Sequence, residues 1–216
     1  MHLVDNYKLI NSKINQLSKN VTLVAVSKTF SLDYIKPLID LGHLDYGENK
    51  VQEATQKWSD IVKLKDSIKL HMLGNVQSNK VESAVKIFSY IHSLDSEKIA
   101  NKFATTQSKF NKQLKYFIQV NIGNEKQKNG IDILLVPNFV KFCRIDLKLN
   151  ILGLMCIPPI NTEPDTFFSK LKKLNEECEL RDLSMGMSSD FEIAVQYGAT
   201  FLRIGSSIFG NRINVS

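Results

Sequence analysis

The chain has 216 residues, of which 43% are hydrophobic and 23% are charged. This composition suits a globular protein that buries its own core. No apolar run is long enough to span a bilayer, and the first residues lack the basic segment and apolar core of a signal peptide. Three cysteines without a CxxC or zinc-like spacing are expected to be reduced thiols. We therefore expect a cytoplasmic protein without a membrane span, a disulfide framework or a metal site.

Lysine and arginine outnumber aspartate and glutamate by 28 to 22, which gives a formal net charge of +6. The lysines are scattered, with no run of like charges and no arginine-rich stripe. We interpret most of them as solvated residues on polar helix faces, so no nucleic-acid partner is expected. The scattered lysines include Lys13, Lys19, Lys57, Lys63, Lys65, Lys69, Lys86, Lys98, Lys109, Lys112 and Lys115.

A repeating unit runs through the chain: a short apolar run, then polar or glycine residues, then a longer segment with helical periodicity. The runs are rich in Val, Ile, Leu and Phe without clean alternation, which is typical of parallel strands covered on both faces. The second and third runs are only weakly marked. The eight runs span Val21–Ser27, Leu44–Tyr46, Leu70–Leu73, Tyr90–Ser93, Tyr116–Ile122, Ile151–Ile157, Leu183–Met187 and Phe201–Gly205.

The segments between the runs are predicted helices, because their apolar residues recur at helical spacing. They span Ser31–Leu41, Asn49–Leu64, Asp95–Phe110, Asp132–Ile145, Thr162–Leu180 and Ser189–Tyr197, and Gln77–Lys80 opens another. Asp95 is well placed to cap its helix, and Pro137 is expected to end a short first turn. Residues Leu3–Leu17 form an extra helix before the first strand.

Eight alternating strand and helix units predict an α/β protein with a parallel sheet. Eight such units suggest closure into a (β/α)₈ TIM barrel. No linker of Pro, Gly or Ser and no charge block divides the chain, so we expect one domain over residues 1–216, with the extra helix at its amino end.

Lys28 directly follows the buried first strand, at the end where barrel active sites lie. Burial lowers the pKa of a lysine because it disfavours the ammonium form. A neutral amine is the species that attacks a carbonyl to form a Schiff base. The alternative is a lysine that marks the end of the strand and extends into solvent. Position alone leaves both interpretations open.

A glycine and a serine after the eighth strand suggest an anion site. Gly205 permits close backbone approach, and Ser206 opens a helical turn whose N–H groups and hydroxyl suit a phosphate. Ser184 and Ser188, one strand earlier, would add donors. Phosphate sites in this fold frequently lie beside the seventh and eighth strands. The alternative is a glycine turn capped by serine.

Two further polar residues lie at the predicted active-site rim. Arg203 is expected near the inner wall, where it either faces a ligand or forms an ion pair with Glu192 or Asp190. His92, at the end of the fourth strand, is either a general base or a hydrogen-bonded structural residue. The remaining histidines show no metal-binding spacing.

Eight ordered motifs resemble those of the pyridoxal phosphate homeostasis protein family, which is itself similar to the N-terminal barrel of alanine racemase. Any one of them is a weak signal, but the ordered set is specific and extends from residue 23 to residue 212. The motifs are Leu23–Thr29, Asp45–Glu53, His71–Lys80, Ile91–Asp95, Gln119–Ile122, Gly153–Met155, Leu183–Ser188 and Arg203–Gly210.

The resemblance implies that Lys28 carries pyridoxal 5′-phosphate (PLP) as a Schiff base in a barrel of the type III PLP fold. It implies that Arg203 faces the pyridine nitrogen and that Asn49 lines the ring pocket. Since arginine cannot accept a proton, the nitrogen would stay unprotonated, which makes the ring a weaker electron sink.

For the phosphate, the resemblance implies Gly205 and Ser206, with Ser184 or Ser188. The family usually has threonine where Ser206 stands, which keeps the hydroxyl. It usually has an apolar residue or proline where Asn75 stands, so the third loop of this chain departs from the family pattern.

A PLP carrier that serves intracellular PLP homeostasis is the favoured interpretation, and turnover is not expected. Racemisation needs proton transfer on both faces of a carbanion, and Lys28 offers one base; the chain is also expected to lack the second domain of alanine racemase. The alternatives are a slow PLP-dependent racemase or lyase, a cofactor-free Schiff-base aldolase and an RNA-binding protein. The resemblance further implies a monomer, with PLP-dependent apo-enzymes as candidate partners.

Overall fold

Eight parallel strands close into a barrel in which each strand pairs with its neighbours in chain order. The computed structural model describes residues 3–125 and 127–210. The predicted barrel is confirmed, including the two weakly marked strands. The strands are β1 (Thr22–Val26), β2 (Asp45–Glu48), β3 (Lys69–Met72), β4 (Tyr90–Leu94), β5 (Lys115–Gln119), β6 (Asn150–Met155), β7 (Asp182–Ser184) and β8 (Phe201–Ile204).

Helices cover the outside of the barrel, and the predicted extra helix before β1 is confirmed. They are α1 (Leu3–Leu17), α2 (Leu32–Asp40), α3 (Val51–Leu64), α4 (Val81–Ile87), α5 (Glu97–Lys109), α6 (Val136–Lys141), α7 (Pro164–Glu177), α8 (Phe191–Gln196) and α9 (Ser206–Phe209). Within the described ranges, no helix has both the length and the apolar character needed to cross a membrane.

The starts of α6 and α5 can be compared with the turn and the cap predicted from the sequence. The predicted first turn before Pro137 is confirmed as a 3₁₀ turn over Ile133–Leu135, and α6 begins directly after it. The predicted cap at Asp95 is wrong, because Ser96 is the N-cap residue of α5. The carboxylate of Asp95 instead accepts a hydrogen bond from the side chain of Asn75 at 3.4 Å, so a contact between loops takes the place of the cap.

Alternating strand residues build two separate cores. On β1, Leu23 and Ala25 face outward and pack against the helices, whereas Val24 faces the barrel interior. The interior core is small and largely aromatic. It consists of Val24, Tyr90, Phe117, Met155 and Phe201.

The barrel closes where β1 pairs with β8, with Val24 opposite Arg203 and Ala25 opposite Ile204. Because all strands are parallel, the segments that follow β1 and β8 leave the barrel side by side. Helix α1 supports this seam, since the side chain of Asn6 donates a hydrogen bond to the carbonyl oxygen of Ile208 at 3.2 Å.

Candidate functional site

A cavity of about 710 Å³ opens at the carboxyl ends of the strands. Its volume is within the usual range for small-molecule sites. Val26, Leu73, Ile157 and Met187 give it apolar walls. Six of the seven site residues predicted from the sequence line it, namely Lys28, Asn49, Ser188, Arg203, Gly205 and Ser206.

Lys28 lies half-buried at the mouth of the cavity, two residues after the end of β1. Thr29 has a φ of 71°, a left-handed conformation that is uncommon for a β-branched residue. Its N–H group donates a hydrogen bond of 2.6 Å to Oε1 of Glu53 on α3. This contact holds the chain in a sharp turn directly after Lys28.

A buried ion pair holds the residue before Lys28. Oε1 of Glu48 accepts hydrogen bonds from Ser27 Oγ at 2.7 Å and from Lys57 Nζ and Trp58 Nε1, both at 2.9 Å. Lys57 also donates to the carbonyl oxygen of Ser27 at 2.9 Å. The side chains of Lys57 and Glu48 are 8% and 0% exposed. The pair therefore ties the start of the Lys28 turn to α3 and β2.

Lys57 is an exception to the interpretation that most of the scattered lysines are solvated. Lys57 follows Glu53 by four residues and sits beside the apolar stripe that includes Ala54 and Trp58. This pattern places an ion pair along the edge of the buried helix face. It is the signal in the sequence that could have revealed the contact, although the partner on β2 depends on the fold.

Arg203 forms the floor of the cavity and is only 5% exposed. Its Nη1 donates to Ser184 Oγ at 2.7 Å, and its Nη2 donates to the carbonyl oxygen of Cys156 at 2.9 Å. Burial lowers the pKa of the guanidinium, yet an arginine stays charged at neutral pH. Within the described ranges, no carboxylate oxygen lies within 4.0 Å of it.

The alternative ion pairs of Arg203 are therefore wrong. Glu192 instead pairs with Lys13 on α1, at 3.5 Å. Oδ1 of Asp190 accepts a hydrogen bond from the N–H group of Met187 at 2.6 Å and so shapes the loop after β7. The buried cation at the cavity floor is thus left facing the space where a ligand would bind.

Ser184 and His92 lie beneath the cavity instead of lining it, and both are fully buried. Ser184 Oγ is 2.7 Å from Nδ1 of His92, and Nε2 of His92 is 3.0 Å from Nδ1 of His71. Burial lowers the pKa of His92 well below its ordinary value. These contacts favour the structural alternative for His92 over a general base at the rim. Ser184 itself does not line the cavity, so the structure shows no contact there that would support its predicted role in phosphate binding.

The loops after β7 and β8 meet through Ser188, whose Oγ accepts a hydrogen bond from the N–H group of Ser207 at 3.2 Å. Gly205 is the first residue after β8 and has a φ of −114°, which any residue can adopt. A Cβ built there would make only ordinary contacts with Val26, the nearest at 3.5 Å. Packing within the protein therefore does not require glycine here, and the missing Cβ leaves room in the cavity.

Asn49 is held by a close backbone contact with the loop after β3. A Cβ at Gly74 would lie 2.3 Å from the carbonyl oxygen of Asn49, so only glycine permits this approach. The neighbouring Asn75 is exposed and lies outside the cavity lining. No group of three potential His, Cys, Asp or Glu ligands for a metal occurs among the residues that the structure describes.

Comparison with known proteins decides the family. Residues 2–212 match the alanine racemase N-terminal domain family. A pyridoxal phosphate homeostasis protein from Aquifex aeolicus is 35% identical over 199 residues, which cover 88% of this chain and 86% of the relative. The chain belongs to the pyridoxal phosphate homeostasis protein family. The predicted resemblance is confirmed.

Solved structures place this family member on a known barrel. PipY from Synechococcus elongatus, solved with PLP bound, superposes with a TM-score of 0.87 at 32% identity, covering 96% of this chain and all of PipY. An alanine racemase from Bartonella henselae shares the fold with a TM-score of 0.74 at 16% identity. The match covers 99% of this chain but only 61% of the racemase.

We expect Lys57→Met to destabilise this pyridoxal phosphate homeostasis family member by about 3 kcal/mol, because it leaves the buried Glu48 carboxylate without its cation. Urea unfolding measures the loss. Lys36→Met is the matched control, since Lys36 pairs with Asp40 on the surface with side chains that are 65% and 56% exposed. The control should leave stability nearly unchanged. Equal effects of the two substitutions would contradict the buried pair.

Proposed function

We propose that this protein binds PLP as a Schiff base on Lys28 and serves as a carrier in PLP homeostasis. The observation that supports this most directly is the meeting of three groups in one cavity. They are the amine of Lys28, the buried guanidinium of Arg203 and the loop at Gly205 and Ser206. The condensation is balanced: the amine and the cofactor aldehyde give an imine and one water molecule.

The phosphate end of the cofactor fits the loops after β7 and β8. Ser188 and Ser206 bring hydroxyl groups to the cavity lining, and Gly205 leaves the space that a Cβ would fill. Hydrogen bonds to an ionised phosphate are roughly twice as strong as those between neutral groups. Ser188 and Ser206 are therefore the residues that we assign to the phosphate, and Ser184 is assigned to Arg203 instead.

The ring end fits the floor and walls of the cavity. Two of the five N–H donors of Arg203 point to Ser184 and Cys156, and Arg203 is one of the residues that line the cavity. An arginine only donates hydrogen bonds, so a pyridine nitrogen opposite it would be an unprotonated acceptor. Asn49 and Leu73 would contact the ring from the side of β2 and β3. When bound, PLP supplies an aldehyde and an electron sink, and Arg203 keeps that sink weak.

The lining residues favour carriage over racemisation. Among the described residues of the lining, Lys28 is the one side chain suited to take up a proton, since the others are apolar groups, an amide, hydroxyls and a charged arginine. Racemisation requires proton transfer on both faces of the substrate carbanion. A cavity with one such group retains the cofactor without completing this reaction.

Absorption spectroscopy tests the covalent link. The purified protein with PLP should show a yellow Schiff-base band, and Lys28→Ala should lose it and show the spectrum of a free aldehyde. Lys98→Ala, a lysine on α5, is the control and should keep the band. Identical spectra for the parent and Lys28→Ala would rule out Lys28 as the attachment site.

Affinity for cofactor analogues tests the phosphate assignment. We expect the combined substitution Ser188→Ala and Ser206→Ala to weaken PLP binding about 100-fold or more, because each lost hydrogen bond to a charged group is worth about 1.5 kcal/mol or more. Binding of pyridoxal, which lacks the phosphate, should change little. Equilibrium dialysis measures both. A parallel loss for the two ligands would place the phosphate elsewhere.

Proton exchange in deuterated water tests carrier against enzyme. The PLP-loaded protein should leave the α-hydrogen of L-alanine and other L-amino acids unexchanged beyond the rate of PLP alone, because the described part of the lining offers no second base. Proton NMR follows the loss of the α-hydrogen signal. Exchange at enzyme-like rates would favour the racemase or lyase alternative. Transfer to apo-enzymes, a monomeric state and a cytoplasmic location stay predictions.

A further inference from the structure

A continuous line of hydrogen bonds runs through the barrel interior from Arg203 to the opposite end. Beyond the contact of Arg203 with Ser184, Ser184 Oγ is 2.7 Å from Nδ1 of His92. Nε2 of His92 is 3.0 Å from Nδ1 of His71, and Nε2 of His71 is 3.0 Å from Oδ1 of Asp45. Asp45 is the first residue of β2 and is 18% exposed. The line therefore joins the cavity floor to the amino end of the barrel.

The direction of every hydrogen bond in this line follows from Asp45. Burial alone would raise the pKa of Asp45, but the hydrogen bond from His71 and nearby positive charge outweigh it and lower the pKa. An ionised carboxylate only accepts, so His71 must donate from Nε2. A neutral His71 then accepts at Nδ1 from Nε2–H of His92.

The same reasoning continues to the arginine. His92, having donated from Nε2, accepts at Nδ1 the hydroxyl proton of Ser184. The lone pairs of Ser184 Oγ then remain for the guanidinium of Arg203. Each donor in the line therefore has one acceptor. Every hydrogen bond is donated in the same direction, from Arg203 toward the carboxylate of Asp45.

The interior core holds both imidazole rings in place. His71 stacks on Tyr90 with ring centroids 4.3 Å apart and an interplanar angle of 8°. His92 stacks on Phe117 at 4.5 Å and 25°. Both histidines are fully buried, and burial lowers the pKa of each. The lowered pKa of each ring favours its neutral form, in which one ring nitrogen donates and the other accepts.

We propose that Asp45, His71, His92 and Ser184 act as one set of positioning residues that orients Arg203 toward the cofactor from the far end of the barrel. We call this set the interior relay. The effect of the relay on PLP binding rests on the proposed function. The hydrogen bonds within the relay do not depend on that proposal. None of the four residues lines the cavity, so the relay acts on the cofactor only through Arg203.

Without the negative charge of Asp45, nothing would require His71 to donate from Nε2, so the direction of the hydrogen bonds in the relay would no longer be fixed. In Asp45→Asn the side-chain amide can either accept or donate, so His71 and His92 are free to adopt the opposite tautomer. His92 would then donate from Nδ1 to Ser184 Oγ. The hydroxyl proton of Ser184 would then lose its acceptor, and the two lone pairs of Oγ would be shared between His92 and Arg203. The hydrogen bonds that hold the guanidinium would therefore be rearranged.

Nitrogen-15 NMR of the cofactor-free protein tests the relay independently of PLP. In the parent protein both His71 and His92 should be neutral Nε2–H tautomers, with assignments from His71→Phe and His92→Phe or, if those variants do not fold, from through-space contacts to Tyr90 and Phe117. Asp45→Asn should shift the ring resonances of His92 and the guanidinium resonances of Arg203.

Asp182→Asn is the matched control, because Asp182 is likewise the first residue of its strand at the same end of the barrel. Among the described residues, its side chain has no hydrogen bond to the relay. It should leave the His92 and Arg203 resonances unchanged. A Nδ1–H tautomer at His92 in the parent, or equal spectra for the two aspartate variants, would overturn the relay.

Equilibrium dialysis with PLP tests the coupling to the site. We expect Asp45→Asn to raise the dissociation constant of PLP about threefold to tenfold and Asp182→Asn to leave it unchanged. An unchanged constant in Asp45→Asn would overturn the coupling even if the tautomers are as stated. If the parent protein does not bind PLP at all, the proposed function fails, while the NMR result still decides the arrangement of the relay.

Discussion

The pairing of β1 with β8 is the constraint on which the site depends. Lys28 and Gly205 are far apart in the chain, and only closure of the sheet places them at one mouth. The register sets Val24 against Arg203 and Ala25 against Ile204, so the two strands end side by side. An open sheet of the same eight strands would put β1 and β8 on separate edges. The amine of Lys28 and the loop at Gly205 would then be too far apart to contact one small molecule.

Closure also forces charged groups into regions of low dielectric, where an unpaired charge is costly. Buried charges are stabilised in different ways on the outer and the inner face of the sheet. Outside the barrel, Lys57 and Glu48 pair directly, and the pair fixes the turn that carries Lys28. Inside, the charge of Arg203 is connected to Asp45 only through three neutral side chains. A direct carboxylate partner would occupy the guanidinium, whereas the indirect arrangement leaves donors of Arg203 for a ligand.

The barrel and most of the site were predictable from the sequence, because strand runs, helical spacing and loop motifs are local signals. Six predicted residues line the cavity for this reason, since each lies near the carboxyl end of a strand or in the loop that follows it. Side-chain direction and tertiary partners are what local signals do not specify. Ser184 and His92 lie near strand ends but point into the barrel, and Lys57 reaches a partner on β2. Asp95 pairs across loops instead of capping its helix. None of these partners is encoded by spacing along the chain.

The depth of each group in the cavity bears on how a carrier would release its cofactor. Arg203 is buried at the floor, Lys28 is half-buried at the mouth and Ser206 is exposed. A Schiff base breaks by the addition of water, so in the proposed carrier a bond to Lys28 would be open to water at the mouth of the cavity. The phosphate grip is likewise on the solvent side. The ring would be held most firmly at its nitrogen, where the contact is electrostatic and reversible. In the proposed carrier, tight binding and ready exchange would be compatible, because the covalent bond would lie at the mouth of the cavity and the buried contact with Arg203 would be non-covalent.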